Sequence, residues 1–290
     1  MPSSVPPLRP EHVREQVAEQ DFGVVAKPLT TFERIYGNGL VRKLAILAVL
    51  AAIWQLYAMY LANPLVLPTF ASTVQAFIER IANGELVARS SVSIQVLLYG
   101  YAIGLALALV FTILAMTTQI GNDLLETLTA MLNPLPAIAL LPLALIWLGL
   151  GNPSIIFVLI HAVMWPVALN THSGFRAVSN TLRMVGRNYG LKGPRYVLQI
   201  LVPAAFPSIL SGLKVGWAFA WRTLIAAELV FGTTSGSGGL GWFIYENKNL
   251  LDIPAVFAGL FTVIIIGLLV ESLIFRTLEQ ATIRKWGMHS

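Results

Sequence analysis

The chain of 290 residues has no cysteine, which excludes disulfide frameworks, Cys-ligated zinc, iron–sulfur clusters and thiol nucleophiles together. Charge is scarce too. Asp, Glu, Lys and Arg make up 11% of the residues, where a soluble domain carries about 25%. With 56% hydrophobic residues and a mean hydropathy of +0.73, the chain is not disordered, not a nucleic-acid module and not an ordinary cytosolic enzyme. It also lacks a Gly-x-x-x-x-Gly-Lys-Ser/Thr segment, the loop whose backbone amides and lysine hold phosphates, so ATP hydrolysis would have to come from another chain. The spans contain only His161, Glu126, Glu228 and Glu271 as candidate catalytic groups, none at catalytic spacing. His161 has no partner at metal-ligand spacing, and a helix–helix hydrogen bond is its expected role. No cofactor or metal is expected on this chain. What remains is an all-α polytopic membrane protein.

A spanning helix needs about 20 mostly apolar residues, because the hydrocarbon core is about 30 Å thick. Six segments meet that need: Leu44 to Ala62, Val92 to Met116, Leu124 to Leu148, Ser154 to Asn170, Pro207 to Phe231, and a stretch from Asp252 to Leu278. Gly149-Leu150-Gly151-Asn152-Pro153 separates the third from the fourth by turn chemistry, and Asp252-Ile253-Pro254 caps the sixth. With the N-terminus placed inside, 14 basic residues fall in inner segments and three (Arg80, Arg89 and Lys248) in outer ones. That asymmetry puts both termini in the cytoplasm. Residues 1–42 then read as a cytoplasmic tail, without a signal peptide's apolar core and cleavage site. Residues 43–286 form the transmembrane domain and 287–290 a short C-terminal tail. Between the first two spans, Val74, Phe77, Ile78 and Ile81 at helical spacing predict an interfacial helix on the outer face. The glycine-rich Gly232 to Gly241 reads as an outer turn.

The long inner loop, 171–206, carries five basic residues and no acidic one. Ser179 to Tyr189 reads as a short helix, Gly190 as its stop and Pro194 to Leu201 as a second helix, with Pro203 and Pro207 setting the start of the fifth span. By itself this is a solvated, basic loop that fixes topology. The spacing adds more. Gly190, nine further residues, then Ile200-Leu201-Val202-Pro203 resembles the cytoplasmic signature of binding-protein-dependent ABC importer permeases, which reads Glu-Ala-Ala, three residues, Gly, nine residues, Ile-x-Leu-Pro. Here Met184, Val185 and Gly186 stand at the Glu-Ala-Ala positions and Val202 at the Leu, so the acidic start is absent. The stretch Pro203 to Leu213, with Ala226-Ala227-Glu228 and Gly238-Gly239-Leu240-Gly241, is similar to the nitrate/sulfonate/taurine branch of that family.

The resemblance implies a type I importer permease fold in the bacterial inner membrane, working as a homodimer. It implies two partners, cytoplasmic ABC ATPase subunits, which hold the ATP and Mg, and an external or periplasmic solute-binding protein. It implies a small, anionic solute, nitrate-, sulfonate- or taurine-like. It also assigns the ATPase-docking, or coupling, element to Arg187, Tyr189, Gly190, Leu191, Lys192, Gly193, Arg195, Tyr196, Ile200 and Pro203. In that assignment Leu191, Tyr196 and Val197 supply apolar contact, while Lys192 and Arg195 meet acidic groups on the ATPase.

Ionisable groups inside a span are functional candidates, since each must be paired or face water. Arg222 and Glu228 lie about 120° apart around their helix and do not bond each other within it. Arg222 either faces the translocation path, where it would attract an anion, or pairs with Glu271 or with Glu228 of a second subunit. Glu228 is assigned to structure or gating. Asn133-Pro134-Leu135-Pro136 interrupts the third span and is either a gate or a static kink. The candidate path and gate residues are thus Asn133, Pro134, Pro136, Trp221, Arg222 and Glu228, with Trp217 and Trp221 alternatively packing the core. A stand-alone secondary transporter or channel is the competing class. The absence of matching breaks in the two halves and of several coupling carboxylates argues against it.

Overall fold

A computed structural model describes residues 37–231 and 238–285. The expected N-terminal tail (apart from its last few residues), most of the glycine-rich turn, Trp286 and the C-terminal tail lie outside the described residues. Among the described residues the chain is helical and has no strand.

The chain divides at Leu50. The first unit contributes the start of helix α1, Gly39–Leu61. The second unit, from Ala51, holds everything else. There the later part of α1 meets α2, Phe70–Ala82, through Trp54, whose indole N–H donates to the Pro68 carbonyl at 2.9 Å and whose ring lies against Phe70, Phe257 and Phe261. Helix α2 is capped by the Thr69 hydroxyl, which accepts from the Ser72 amide. The helix expected between the first two spans is therefore present, with Phe77 against the core and Ile78 exposed.

Three helices form the centre. They are α3, Glu85–Thr117, α6, Asn152–Ala177, and α9, Val202–Phe231, with α6 packed against both others. Small residues allow the close approach that membrane helices need in place of a hydrophobic drive. A Cβ on Gly100 or Gly104 of α3 would lie 2.6 Å from Leu159 or 2.8 Å from Val163 of α6. On α9, one on Gly212 or Gly216 would lie 2.9 Å from Asn170 or Val167.

The third predicted span is not one straight helix. Helix α4, Gln119–Leu132, is followed by a 3-10 turn, Ala137–Leu140, that continues into α5, Leu141–Leu148, and the two parts meet at 89°. Pro134 and Pro136 have no N–H to continue the ladder of α4, so the carbonyls of Ala130 and Leu132 lose their i+4 donors and the helix stops. Either part alone is too short to cross about 30 Å of hydrocarbon. Together they form one bent pair. Thr117 and Gln119 lie beside His172 and Arg176 at the end of α6. With the bent pair counted as one span beside α1, α3, α6, α9 and the final helical stretch, Ile253–Ile283, the described residues hold up to six candidate membrane spans.

The last of these begins as α11, Ile253–Leu269, capped by the Asp252 carboxylate at the Ala255 amide (3.2 Å) as expected. It continues through a wide π turn, Val270–Phe275, to α12, Arg276–Glu279. Lys214 of α9 joins Glu279 at 2.9 Å and Glu271 at 3.6 Å. The Glu271 carboxylate, considered above as a partner for Arg222, thus belongs to Lys214.

Candidate functional site

Three places in the fold carry the predicted residues: one end of the bundle around residues 178–201, its interior at the break of α4, and the opposite end around 80–89 and 238–252.

At the first end, α7, Asn180–Asn188, starts at Ser179, whose hydroxyl accepts from the Leu182 amide at 3.3 Å. It stops at Gly190. That residue has φ +74°, the Leu191 N–H returns to the Gly186 carbonyl at 3.1 Å and the Gly190 N–H to Arg187 at 2.9 Å. This is the glycine-closed helix end anticipated from the sequence, and it turns the chain into α8, Gly193–Tyr196. A π turn, Val197–Leu201, then merges α8 with α9. Pro203 therefore lies in a continuous helix rather than at a break. The wider turn before it, closed by the Val202 N–H on the Val197 carbonyl, absorbs the register change that a proline imposes.

Two anchors hold this element to the bundle. Arg183 donates from Nε to the Val178 carbonyl at 3.1 Å and from its guanidinium to the Phe175 carbonyl. It thereby closes the C-terminal end of α6, where a cation suits the exposed carbonyls. Phe175, Val178, Leu201 and Ala205 form a small buried core beneath it, with Tyr196 packed on the side. Gly186 is where α7 crosses the next helix, since a Cβ there would lie 2.9 Å from both Tyr196 and Ile200.

Of the predicted docking residues, Tyr196 and Ile200 thus turn inward. Tyr189 is 82% exposed. Arg187, Lys192 and Arg195 are exposed and have no ion pair among the described residues. Met184 and Leu198 add exposed apolar surface. Arg183 and Gly186 were missed as functional residues. A lone arginine in a basic loop looks like its neighbours until the carbonyls it meets are known.

In the interior, a cavity of about 310 Å³ opens at the break between α4 and α5. Asn133, Pro134 and Pro136 line it from the break, His161 and Trp165 from α6, and Arg222 from α9. Arg222 is exposed to this space and makes no ion pair or hydrogen bond among the described residues. Trp165 is 3% exposed, and its indole N–H has no partner among the described residues. The Leu132 carbonyl accepts from the Leu135 amide at 3.2 Å, and neither ring nitrogen of His161 has a hydrogen-bond partner among the described residues, so the helix–helix hydrogen bond expected of it is not formed. Trp221 and Glu228 do not line the cavity. Trp221 is buried in the central core.

At the opposite end, Glu228 is 4% exposed. Its carboxylate accepts from the Ser93 hydroxyl at 2.8 Å and from the Gly241 amide at 2.8 Å. The Ser93 oxygen in turn accepts from the Leu240 amide at 2.8 Å. These bonds fasten the start of α10, Leu240–Asn249, to α3 and α9, and a carboxylate at a helix N-terminus is favourably placed. Around them Arg80 meets Glu85 at 2.6 Å and Asp252 at 2.8 Å, and Arg89 meets Glu246 at 2.9 Å. The hydrogen bond to Glu85, opposed by partial burial and helped by Asp252, raises the Arg80 pKa above its ordinary value. Among the described residues no group of three or more His, Asp or Glu side chains is placed to hold a metal ion.

Residues 100–282 match the family model described as binding-protein-dependent transport system inner membrane component. A candidate ABC transporter permease protein of Methanocaldococcus jannaschii is 33% identical over 242 residues, 82% of this chain and 90% of that protein. A candidate aliphatic sulfonates transport permease protein of Bacillus subtilis is 32% identical over 86% of this chain and 88% of its own length. The nitrate import permease protein of Synechocystis is 31% identical over 83% and 88%.

Proposed function

Because this chain belongs to the family of binding-protein-dependent transport system inner membrane components, we propose that it imports a small anionic solute as one of two permease copies driven by separate ATPase subunits. It is a multi-pass protein of the inner membrane and a transport component, not an enzyme. ATP and Mg sit on the cytoplasmic ATPases, and an external solute-binding protein delivers the solute. The sulfonate and nitrate permeases among the relatives support the anion class. In the proposed orientation the end carrying residues 178–201 is cytoplasmic, as are both termini.

The observation that carries this reading is the construction of the helix–glycine turn–helix element. An element that transmits an ATPase's closure must be short and rigid, and must be fastened to the spans it moves. Arg183 fastens α7 to the end of α6, and the π turn makes α8 the continuation of α9. A push on α7 or α8 is therefore delivered to two of the three central helices. Its outer surface, formed by Met184, Arg187, Tyr189, Lys192 and Arg195, is apolar and basic and has no partner within the described chain. That suits an acidic-rimmed groove on the ATPase. The absent acidic residue at Met184 means that docking here uses apolar contact where the family's signature has a carboxylate.

Co-expression with ABC ATPase subunits and purification in lipid tests the reading. The wild-type chain retains an ATPase, and Gly190→Arg, which needs φ near +74° from a bulky residue, loses it. Retention of the ATPase with full stimulation by Gly190→Arg would contradict the docking assignment. Failure of every ATPase to bind the wild type would return the chain to the stand-alone transporters.

A further inference from the structure

The cavity at the break of α4 has a one-sided chemistry. It lies about 14 Å in from the ends of α6 and α9, near the middle of a hydrocarbon core about 30 Å thick. An unpaired arginine at that depth is costly unless it faces water or a ligand. A buried indole N–H without an acceptor is a second unsatisfied group, of the kind that calls for a partner. The residues that carry them, Arg222 and Trp165, both line the same space. Among the described residues the lining contains no Asp or Glu, and Arg222 brings a guanidinium to it. Asn133 and Thr223 contribute an amide and a hydroxyl that can donate. His161 adds an imidazole, and the remaining wall is proline, alanine, leucine, isoleucine and phenylalanine. A volume of about 310 Å³ is at the lower end of the range of roughly 300–1,000 Å³ for small-molecule sites.

We propose that this cavity is an intramembrane oxyanion site, in which Arg222 and the Trp165 indole N–H donate to a sulfonate or nitrate group while apolar side chains hold any short alkyl part. Guanidinium suits the task because its planar fork can donate two parallel bonds to one oxyanion. Trp165 adds a single donor from a rigid ring, which Phe111 packs at a centroid distance of 5.8 Å. The prolines have a part as well. By ending α4 at Leu132 they open the space that a straight third span would fill. The proposal rests on the permease reading and adds to it where the solute is recognised inside the membrane, independently of the binding protein.

The test uses the full chain with its ATPase subunits in lipid nanodiscs and ethanesulfonate as the probe, followed by saturation-transfer NMR, which detects millimolar binding. Transfer to the ethanesulfonate methyl protons is expected, displaced by nitrate, and absent for ethyltrimethylammonium of the same shape class. Arg222→Gln should weaken binding at least tenfold. Trp165→Phe, which keeps the ring and removes the N–H, should weaken it about three- to tenfold. Retention of the ATPase serves as the folding control for both variants. No transfer in the wild type, equal transfer to the cation, or unchanged binding in both variants would overturn the site. If that happens while the ATPase is still retained, the permease reading stands and only the oxyanion site falls. Loss of the ATPase from the wild type would sink the permease reading itself.

Discussion

The two ends of the bundle use their charges in opposite ways. At the end formed by residues 80–89 and 238–252, every arginine is spent on the chain itself. Arg80 joins Glu85 and Asp252, and Arg89 joins Glu246. Inside that ring a buried carboxylate, Glu228, holds the start of α10. At the end formed by residues 178–201, Arg187, Lys192 and Arg195 have no acidic partner among the described residues, and order comes instead from a glycine-closed helix end, one arginine on backbone carbonyls and a four-residue apolar core. The difference is the one that the proposed docking role of residues 178–201 requires. A surface that holds its own segments together neutralises its charges internally, whereas one that receives another protein keeps them available and takes its rigidity from backbone geometry.

The largest expected effect falls on the second end. Gly186→Leu places a side chain where a single Cβ already lies 2.9 Å from Tyr196 and Ile200. It should lift α7 off its neighbour and cut ATPase stimulation at least tenfold, while the end around Glu228 stays intact by protease protection of 238–252. Next comes Glu228→Ala, which leaves the Ser93 hydroxyl and the Gly241 amide buried without an acceptor, at about 1–3 kcal/mol for each group. The melting temperature of the purified chain should drop by several degrees, and Glu228→Gln, which keeps an acceptor oxygen, should lose less than half as much. Equal losses for the two variants would show that the negative charge, not the acceptor, fastens α10.

A smaller effect sharpens the same contrast. Lys192→Gln with Arg195→Gln should weaken ATPase binding a few-fold at low salt and by less at high salt, since exposed charges are screened. The chain's own stability should not change. Arg80→Ala should do the reverse, lowering stability by about 1 kcal/mol with ATPase binding untouched. If the Lys192 and Arg195 pair destabilised the fold, or Arg80→Ala released the ATPase, the division of labour would be wrong.

Local chemistry was legible and long-range pairing was not. The spans, the Asp252 cap, the helix at residues 70–82 and the Gly190 stop follow from hydropathy and cap residues close together in the chain. The prolines of 133–136 announced a break but not its 89° angle, because that angle depends on what α6 and α9 place beside it. Arg222 was visible as an unusual charge, yet nothing local in the sequence joins it to Trp165 of α6, which lines the same cavity. Lys214 took Glu271 because α12 and the π turn before it bring two carboxylates to α9 from more than 50 residues away. No periodicity within α9 could carry that information.

The absence of cysteine allows the central claim to be tested most directly. Tyr189→Cys and Tyr245→Cys, one at each end, can be labelled singly with a photoactivatable maleimide in membranes that also contain the ATPase subunits. The account predicts a covalent adduct with the ATPase from position 189 and none from position 245. An adduct from position 245, or the absence of any from position 189 while the ATPase is retained, would contradict it.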